Sequence, residues 1–166
     1  AWRGRMARAK GVGRVCGECK RIDTIAREPL WRHLSNYRCG TGHSGRCVGN
    51  VHEGPHSLRG TNSVLMRPGM VITDEPGVYE TDLVGIRIEN ELVCVHKADN
   101  QYGTFLGFEP LMFVPIATSP ILPGVLDKDE IAWLNDYHRQ VFAKLAPHLN
   151  DEERSWLAEK CAAIGC

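Results

Sequence analysis

The chain has 166 residues, 43% hydrophobic and 24% charged, enough for one domain with an ordinary buried core. Twenty Lys and Arg balance twenty Asp and Glu, so the whole-molecule field favours neither nucleic acid nor an anionic membrane as partner. The longest apolar run, Leu111 to Ala117, is far below the roughly 20 residues of a membrane-spanning helix. Neutrality hides a split: residues 1–50 carry eleven basic and three acidic side chains, residues 51–166 nine and seventeen. The basic half is scattered among glycines with few aromatics, and so reads as surface, solvated or covered by another part of the protein, rather than as a nucleic-acid patch. Seven cysteines at irregular spacing predict a reduced, cytoplasmic setting. The chain starts without Met and has no apolar stretch behind its first basic residues, which predicts a fragment or processed chain with no secretory signal.

In chain order, a short helix is expected at 3–10, broken by Gly11 and Gly13, and a second over Arg21 to Arg27. Arg38 to Gly60 is dense in glycine and contains His43, His52 and His56, the pattern of loops and short strands beside a site that needs backbone room. Met70 to Thr73 reads as a strand running into Glu75-Pro76-Gly77. Gly85 to Val95 reads as another, with Ile86 and Ile88 on one face and Arg87 and Glu89 on the other. A hairpin centred near Asp82, with Glu80 to Leu83 as its loop, would set Tyr79 opposite Gly85 and Glu75 opposite Glu89. Phe105 to Ile116 is a further strand, closed by a stretch containing Pro115, Pro120 and Pro123. Asp127 with Glu130 predicts a capped helix with Ile131, Leu134, Val141 and Leu145 near one face, ending about Pro147. Asn150 with Glu153 repeats the signal for a helix carrying Trp156, Leu157, Cys161 and Ile164. Trp133, Tyr137, Phe142 and Trp156 are expected in the core or in a contact between subunits.

Two facing carboxylates destabilise a hairpin unless a cation lies between them or one holds a proton. Glu75 and Glu89 therefore ask for a cation, and His43 or His52 would complete a mixed N/O donor set suited to Mn²⁺, Zn²⁺ or Fe²⁺ rather than Ca²⁺. The same spacing also fits solvated glutamates on an exposed hairpin beside loop histidines. Cys16-Gly-Glu-Cys19 offers half of a structural zinc site, for which Cys39, His43 and Cys47 supply only an irregular second half.

The segments Gly40-Thr-Gly-His43, Asn50-Val-His52-Glu-Gly-Pro-His56, Thr73-Asp-Glu75-Pro-Gly77 and Gly85-Ile-Arg-Ile-Glu89-Asn resemble, in order and spacing, the C-terminal half of the catalytic domain of Xaa-Pro aminopeptidases (aminopeptidase P), of the pita-bread metallopeptidase superfamily. The likeness extends upstream through Asp23-Thr-Ile-Ala-Arg-Glu-Pro-Leu-Trp31 and downstream through Phe108-Glu-Pro-Leu111 and the terminal helices. It implies an α+β chain. Residues 1–118 would be the C-terminal portion of a pita-bread (creatinase/aminopeptidase-like) catalytic domain, a curved antiparallel sheet with outer helices, and residues 119–166 a C-terminal helical extension.

The resemblance also implies an activity: release of the N-terminal residue from peptides with proline second, by attack of a hydroxide bridging two divalent metal ions, Mn²⁺ first and Zn²⁺ as the alternative. It makes His43, Glu75 and Glu89 metal ligands, Glu75 also a proton shuttle, and His52 the catalytic and substrate-binding contact. Arg87 would orient the carboxylates with its guanidinium fork. The implied setting is a cytoplasmic homodimer acting on peptides, with no nucleic-acid or membrane partner.

Three departures qualify that expectation. The family's Asp ligand pair lies farther upstream of the His than this chain reaches, and the only acids before His43 are Glu18, Asp23 and Glu28, so the chain alone is expected to be inactive. Gly42-His43-Ser44-Gly45-Arg46 places side chains where the family keeps bare backbone. Cys39 stands where many members have His. A non-catalytic binding module on the same scaffold is the competing reading.

Overall fold

The computed structural model describes residues 17–45, 52–122 and 124–165, together with the backbone of 13–14. The helix expected at 3–10, and Cys16, Arg46 and Cys47, lie outside the described residues. The elements are β1 (Gly13–Arg14), α1 (Cys19–Trp31), β2 (Gly42–Ser44), β3 (Glu53–Leu58), β4 (Val71–Asp74), β5 (Gly77–Glu80), β6 (Val84–Arg87), β7 (Asn90–Asn100) and β8 (Gly103–Pro110). They continue with α2 (Lys128–Leu145), a 3₁₀ turn (Ala146–His148) and α3 (Asp151–Lys160). Two compact units result, one ending at Met112 and the other beginning at Phe113.

In the first unit, six strands form an antiparallel sheet in the order β1-β8-β7-β4-β2-β3, and β5 and β6 pair as a separate ribbon. Alternating apolar positions bury one face: Leu58, Ile72, Leu92, Cys94 and Leu106 meet Met66 and Cys19 of α1 in one cluster. The helix presents Cys19, Asp23, Ala26 and Leu30, a stripe at helical spacing, all buried. It is longer than Arg21 to Arg27 at both ends. Its N-cap, Glu18, makes no side-chain capping bond; instead the first-turn amides of Cys19 and Lys20 donate to the carbonyls of Val64 and Asn62, at 3.0 and 2.9 Å. A distant loop thus satisfies the orphan donors that a local cap normally serves.

The hairpin keeps the expected register but is cut in two. Asp74 pairs with Asn90 in the main sheet, and Gly77 with Arg87 and Tyr79 with Gly85 in the ribbon. The expected continuous strand over Gly85 to Val95 is therefore corrected: the ladder breaks at Ile88 and Glu89, opposite Glu75 and Pro76. Pro76 has no N–H to offer a ladder, and its buried ring holds the chain at the break. Beyond the break Ile86 is 49% exposed, so the alternation read there marks no core face. The strand expected to reach Ile116 ends at Pro110.

In the second unit both predicted capping boxes form, Asp127 with Glu130 and Asn150 with Glu153. Leu134 and Val141 are fully buried as expected, but Tyr137 and His138 share the centre of that face while Ile131 and Leu145 are only half-buried. Tyr137 stacks on Trp133 at 5.6 Å and donates its hydroxyl to the Val114 carbonyl; His138 Nε2 accepts the Ile116 amide N–H. These bonds fasten the segment 113–116 along α2. On α3 Leu157 is buried, whereas Trp156 is 56% exposed and lies outside this unit's core. No helix among the described residues is long and apolar enough to cross a membrane.

Candidate metal centre

His43, Glu75 and Glu89 converge. Each offers a ligand atom, and these atoms lie within 4.8 Å of one another. The strands explain why. β2 brings His43 beside β4, and the broken ladder leaves Glu75 and Glu89 at equivalent points of the two hairpin arms, free to turn their carboxylates together. The close approach of β2 to β4 requires glycine at 42: a Cβ there would fall 1.9 Å from the Thr73 carbonyl oxygen and 2.9 Å from its carbon.

Several bonds aim the donors. The His43 amide donates to the Thr73 hydroxyl at 2.9 Å, and that hydroxyl donates to Glu75 Oε1 at 3.0 Å, so one side chain ties ligand to ligand. His43 Nδ1 lies 3.1 Å from the Ser44 carbonyl, which can only accept. In the neutral ring Nδ1 therefore carries the proton and Nε2 keeps its lone pair. Nε2 faces Glu75 Oε1 at 3.1 Å. A lone pair and a carboxylate oxygen this close are joined either by a proton or by a metal ion that both ligate. The donor set fits a borderline transition-metal ion, and the fit rests on this facing pair.

Arg87 spans the two carboxylates, Nε 3.3 Å from Glu89 Oε2 and Nη1 3.8 Å from Glu75 Oε2. The charge of Glu89, aided by Tyr79 and Glu75, raises the Arg87 pKa and keeps it protonated. The His52 ring, exposed to solvent, lies 4.4 Å from that of His43 between centroids, tilted by 56°. An open cleft of about 1020 Å³ runs past His43, His52, Glu75, Tyr79, Arg87 and Cys39. The expected residues are thus brought together. Thr73 is the member of this cluster that sequence reasoning missed; its signal is a hydroxyl two residues before a candidate ligand.

Two of the departures can be followed in the structure. Ser44 is buried, and its hydroxyl donates to the Glu53 carbonyl where the β2–β3 register shifts, which accommodates the extra atoms. At Gly45 a Cβ would meet the carboxylate end of the Glu91 side chain at 2.4 Å, a group that can swing aside. Asp23 is 1% exposed, and both of its carboxylate oxygens are already engaged, by Arg27 and by Thr41. Cys19, half of the alternative zinc pair, is fully buried with its thiol 3.6 Å from Met66 Sδ, and burial pushes its pKa up, away from the thiolate a metal needs.

Sheet, helices and converging donors define a chain of the pita-bread aminopeptidase fold. The chain belongs to metallopeptidase family M24: residues 6–96 match the family model and residues 104–164 match that of the C-terminal region of peptidase M24. It is 40% identical over 150 residues to aminopeptidase P1 of Lotus japonicus, covering 87% of this chain and 23% of that protein. With aminopeptidase P2 of Arabidopsis thaliana the identity is 43% over 143 residues, covering 82% and 20%. The crystal structure of X-prolyl aminopeptidase from Caenorhabditis elegans, described as a cytosolic enzyme with a di-nuclear active site, superposes with a TM-score of 0.87 at 36% identity, over 98% of this chain and 27% of that one. The chain therefore spans about a quarter of the length of these relatives.

Proposed function

We propose that the chain supplies one side of the active site of a metal-dependent aminopeptidase that removes the residue preceding an N-terminal proline peptide bond. The observation that carries this is the convergence of His43, Glu75 and Glu89 within 4.8 Å. His43, Glu75 and Glu89 would hold two divalent ions, Mn²⁺ or Zn²⁺, together with ligands from outside this chain. Such ions supply Lewis acidity toward a carbonyl and a water nucleophile at neutral pH.

The residues of this chain do the rest. Glu75, tied through Thr73 and beside His43, accepts a proton from water and delivers it to the departing proline nitrogen. His52, exposed on the cleft wall, contacts the substrate carbonyl and supports the charge that develops there. Arg87 holds the two carboxylates in place from the solvent side. Proline selectivity suits such a cleft because the fixed ring has one shape to recognise and its tertiary amide carries no N–H. The family names of the relatives support this activity, and the description of the C. elegans enzyme supports two metals and a cytoplasmic setting. We further propose that the chain alone is inactive for want of the remaining ligands, and that the longer protein is a homodimer.

Calorimetric titration with Mn²⁺ and Zn²⁺ tests the centre. The expected result is binding that His43→Ala removes, with no release of the first residue from an Xaa-Pro peptide by the chain alone. Zinc binding that survives His43→Ala but is lost on alkylating the cysteines would replace this reading with the Cys16/Cys19 site. Absence of metal binding combined with binding of an Xaa-Pro peptide would favour a non-catalytic binding module.

A further inference from the structure

Beneath the His43 loop lies a buried polar network that the reaction chemistry does not use. Asp23 and Arg27 stand one turn apart on α1, and Arg27 Nε donates to Asp23 Oδ2 at 2.8 Å. Their side chains are 2% and 11% exposed. A buried ion pair is weak evidence for stability, because desolvation offsets most of the attraction. Its value lies in what else the two groups hold. Arg27 Nη1 donates to the Tyr37 carbonyl at 2.6 Å and to Asn36 Oδ1 at 3.1 Å, and Nη2 donates to the Cys39 carbonyl at 2.6 Å. The guanidinium also covers the Tyr37 ring at 4.1 Å. Four of its five N–H groups are therefore committed, three of them to the loop that leads into His43.

Thr41 closes the network. Its hydroxyl donates to Asp23 Oδ1 and accepts from the Tyr37 hydroxyl at 2.8 Å. Its backbone reaches outward: the amide donates to the Leu58 carbonyl at 2.7 Å, and the carbonyl accepts the Glu75 amide at 2.7 Å. Two residues later comes His43. Thr41 is thus the point where a buried anchor on the helix meets the backbone of both candidate ligands.

We infer that Asp23, Arg27 and Thr41 are positioning residues for the metal centre, setting the spacing of His43 and Glu75 through the backbone at Thr41. The inference rests on the reading of His43 and Glu75 as ligands. Neither the carboxylate nor the guanidinium reaches the ligands directly; the rigid loop carries their effect.

The test uses this chain with Mn²⁺ as probe, read by calorimetry, and amide hydrogen exchange in metal-free protein. Thr41→Val removes the hydroxyl at nearly constant shape, Thr41→Ser restores it, and Leu106→Ala damages the core across the sheet without touching the loop. Thr41→Val and Asp23→Asn should each weaken Mn²⁺ binding about 10- to 100-fold, the range seen when the support of a metal ligand is lost. Thr41→Val should also speed exchange of the Glu75 amide. Thr41→Ser should keep wild-type affinity and exchange. Leu106→Ala should lower the denaturation midpoint while leaving Mn²⁺ affinity unchanged. The inference is overturned if Thr41→Val keeps wild-type affinity, or if Leu106→Ala weakens binding as much as Thr41→Val does. If the wild-type chain binds no Mn²⁺, the ligands from outside this chain are indispensable to the centre, and the exchange measurement decides the network by itself: unchanged protection of the Glu75 amide in Thr41→Val overturns it.

Discussion

One hairpin contains two different kinds of structure. In the main-sheet region, β4 and β7 bury Ile72, Asp74, Asn90 and Leu92 almost completely. In the ribbon, every residue of β6 is exposed, and Val84 and Ile86 face solvent with 43% and 49% of their surface. The pairing register is the same in both. Hydrogen-bond register alone therefore does not make a core strand; the buried region has another layer packed on it, and among the described residues none covers β6. The candidate ligands stand at the junction, where a firmly held arm gives way to one that solvent can reach. A ligand pair at that point has one rigid side and one open side, which is what a site that must admit a substrate requires.

This contrast can be broken or sharpened by paired substitutions. Ile72→Ala in the buried region should lower stability by about 2–5 kcal/mol, the range for emptying a packed aliphatic site, measured by urea denaturation. Gly42→Ala should follow at about 1–3 kcal/mol, since the added methyl meets the Thr73 backbone, which cannot step aside. At the junction, Glu89→Gln keeps the shape and removes the charge; it should weaken Mn²⁺ binding at least about tenfold by calorimetry while leaving the urea midpoint close to wild type. In the ribbon, Gly77→Ala should be milder than Gly42→Ala, because the nearest atom is Tyr79 Oη at 2.5 Å, the movable end of an exposed side chain. Ile86→Ala should change stability by no more than about 0.5 kcal/mol. An Ile86→Ala loss as large as that of Ile72→Ala would abolish the distinction between sheet and ribbon.

Local signals were legible where the chain itself supplied the partner. Asp127 with Glu130 and Asn150 with Glu153 each carry both halves of a capping box, so those helices start where the spacing predicts. Tyr79 opposite Gly85 follows from a turn near Asp82, whose positive φ of 57° lets the chain reverse within the loop. What stayed hidden was set by distant partners. The early start of α1 depends on carbonyls of Val64 and Asn62 more than forty residues away. The interruption at Glu89 depends on Pro76 across the hairpin, so the alternation in Gly85 to Val95 looked unbroken. Glu75 and Glu89 were legible as a like-charged pair at opposed hairpin positions, a problem visible in one dimension, whereas the choice of His43 over His52 came only with the family resemblance. Arg27 as a loop clamp was not legible, because an Arg four residues after an Asp on a helix reads as an ordinary surface pair.

The contact at Gly42 has a consequence for inheritance. Any single-base change in a glycine codon that alters the residue introduces at least a Cβ, or ends the chain. With the Thr73 carbonyl oxygen 1.9 Å from that atom, position 42 has no mild missense allele: even the smallest replacement must push β2 away from β4, the strands that carry His43 and lead into Glu75. Neighbouring Ser44, at the end of the same strand, already has a side chain accommodated at the register shift and should tolerate drift that Gly42 cannot.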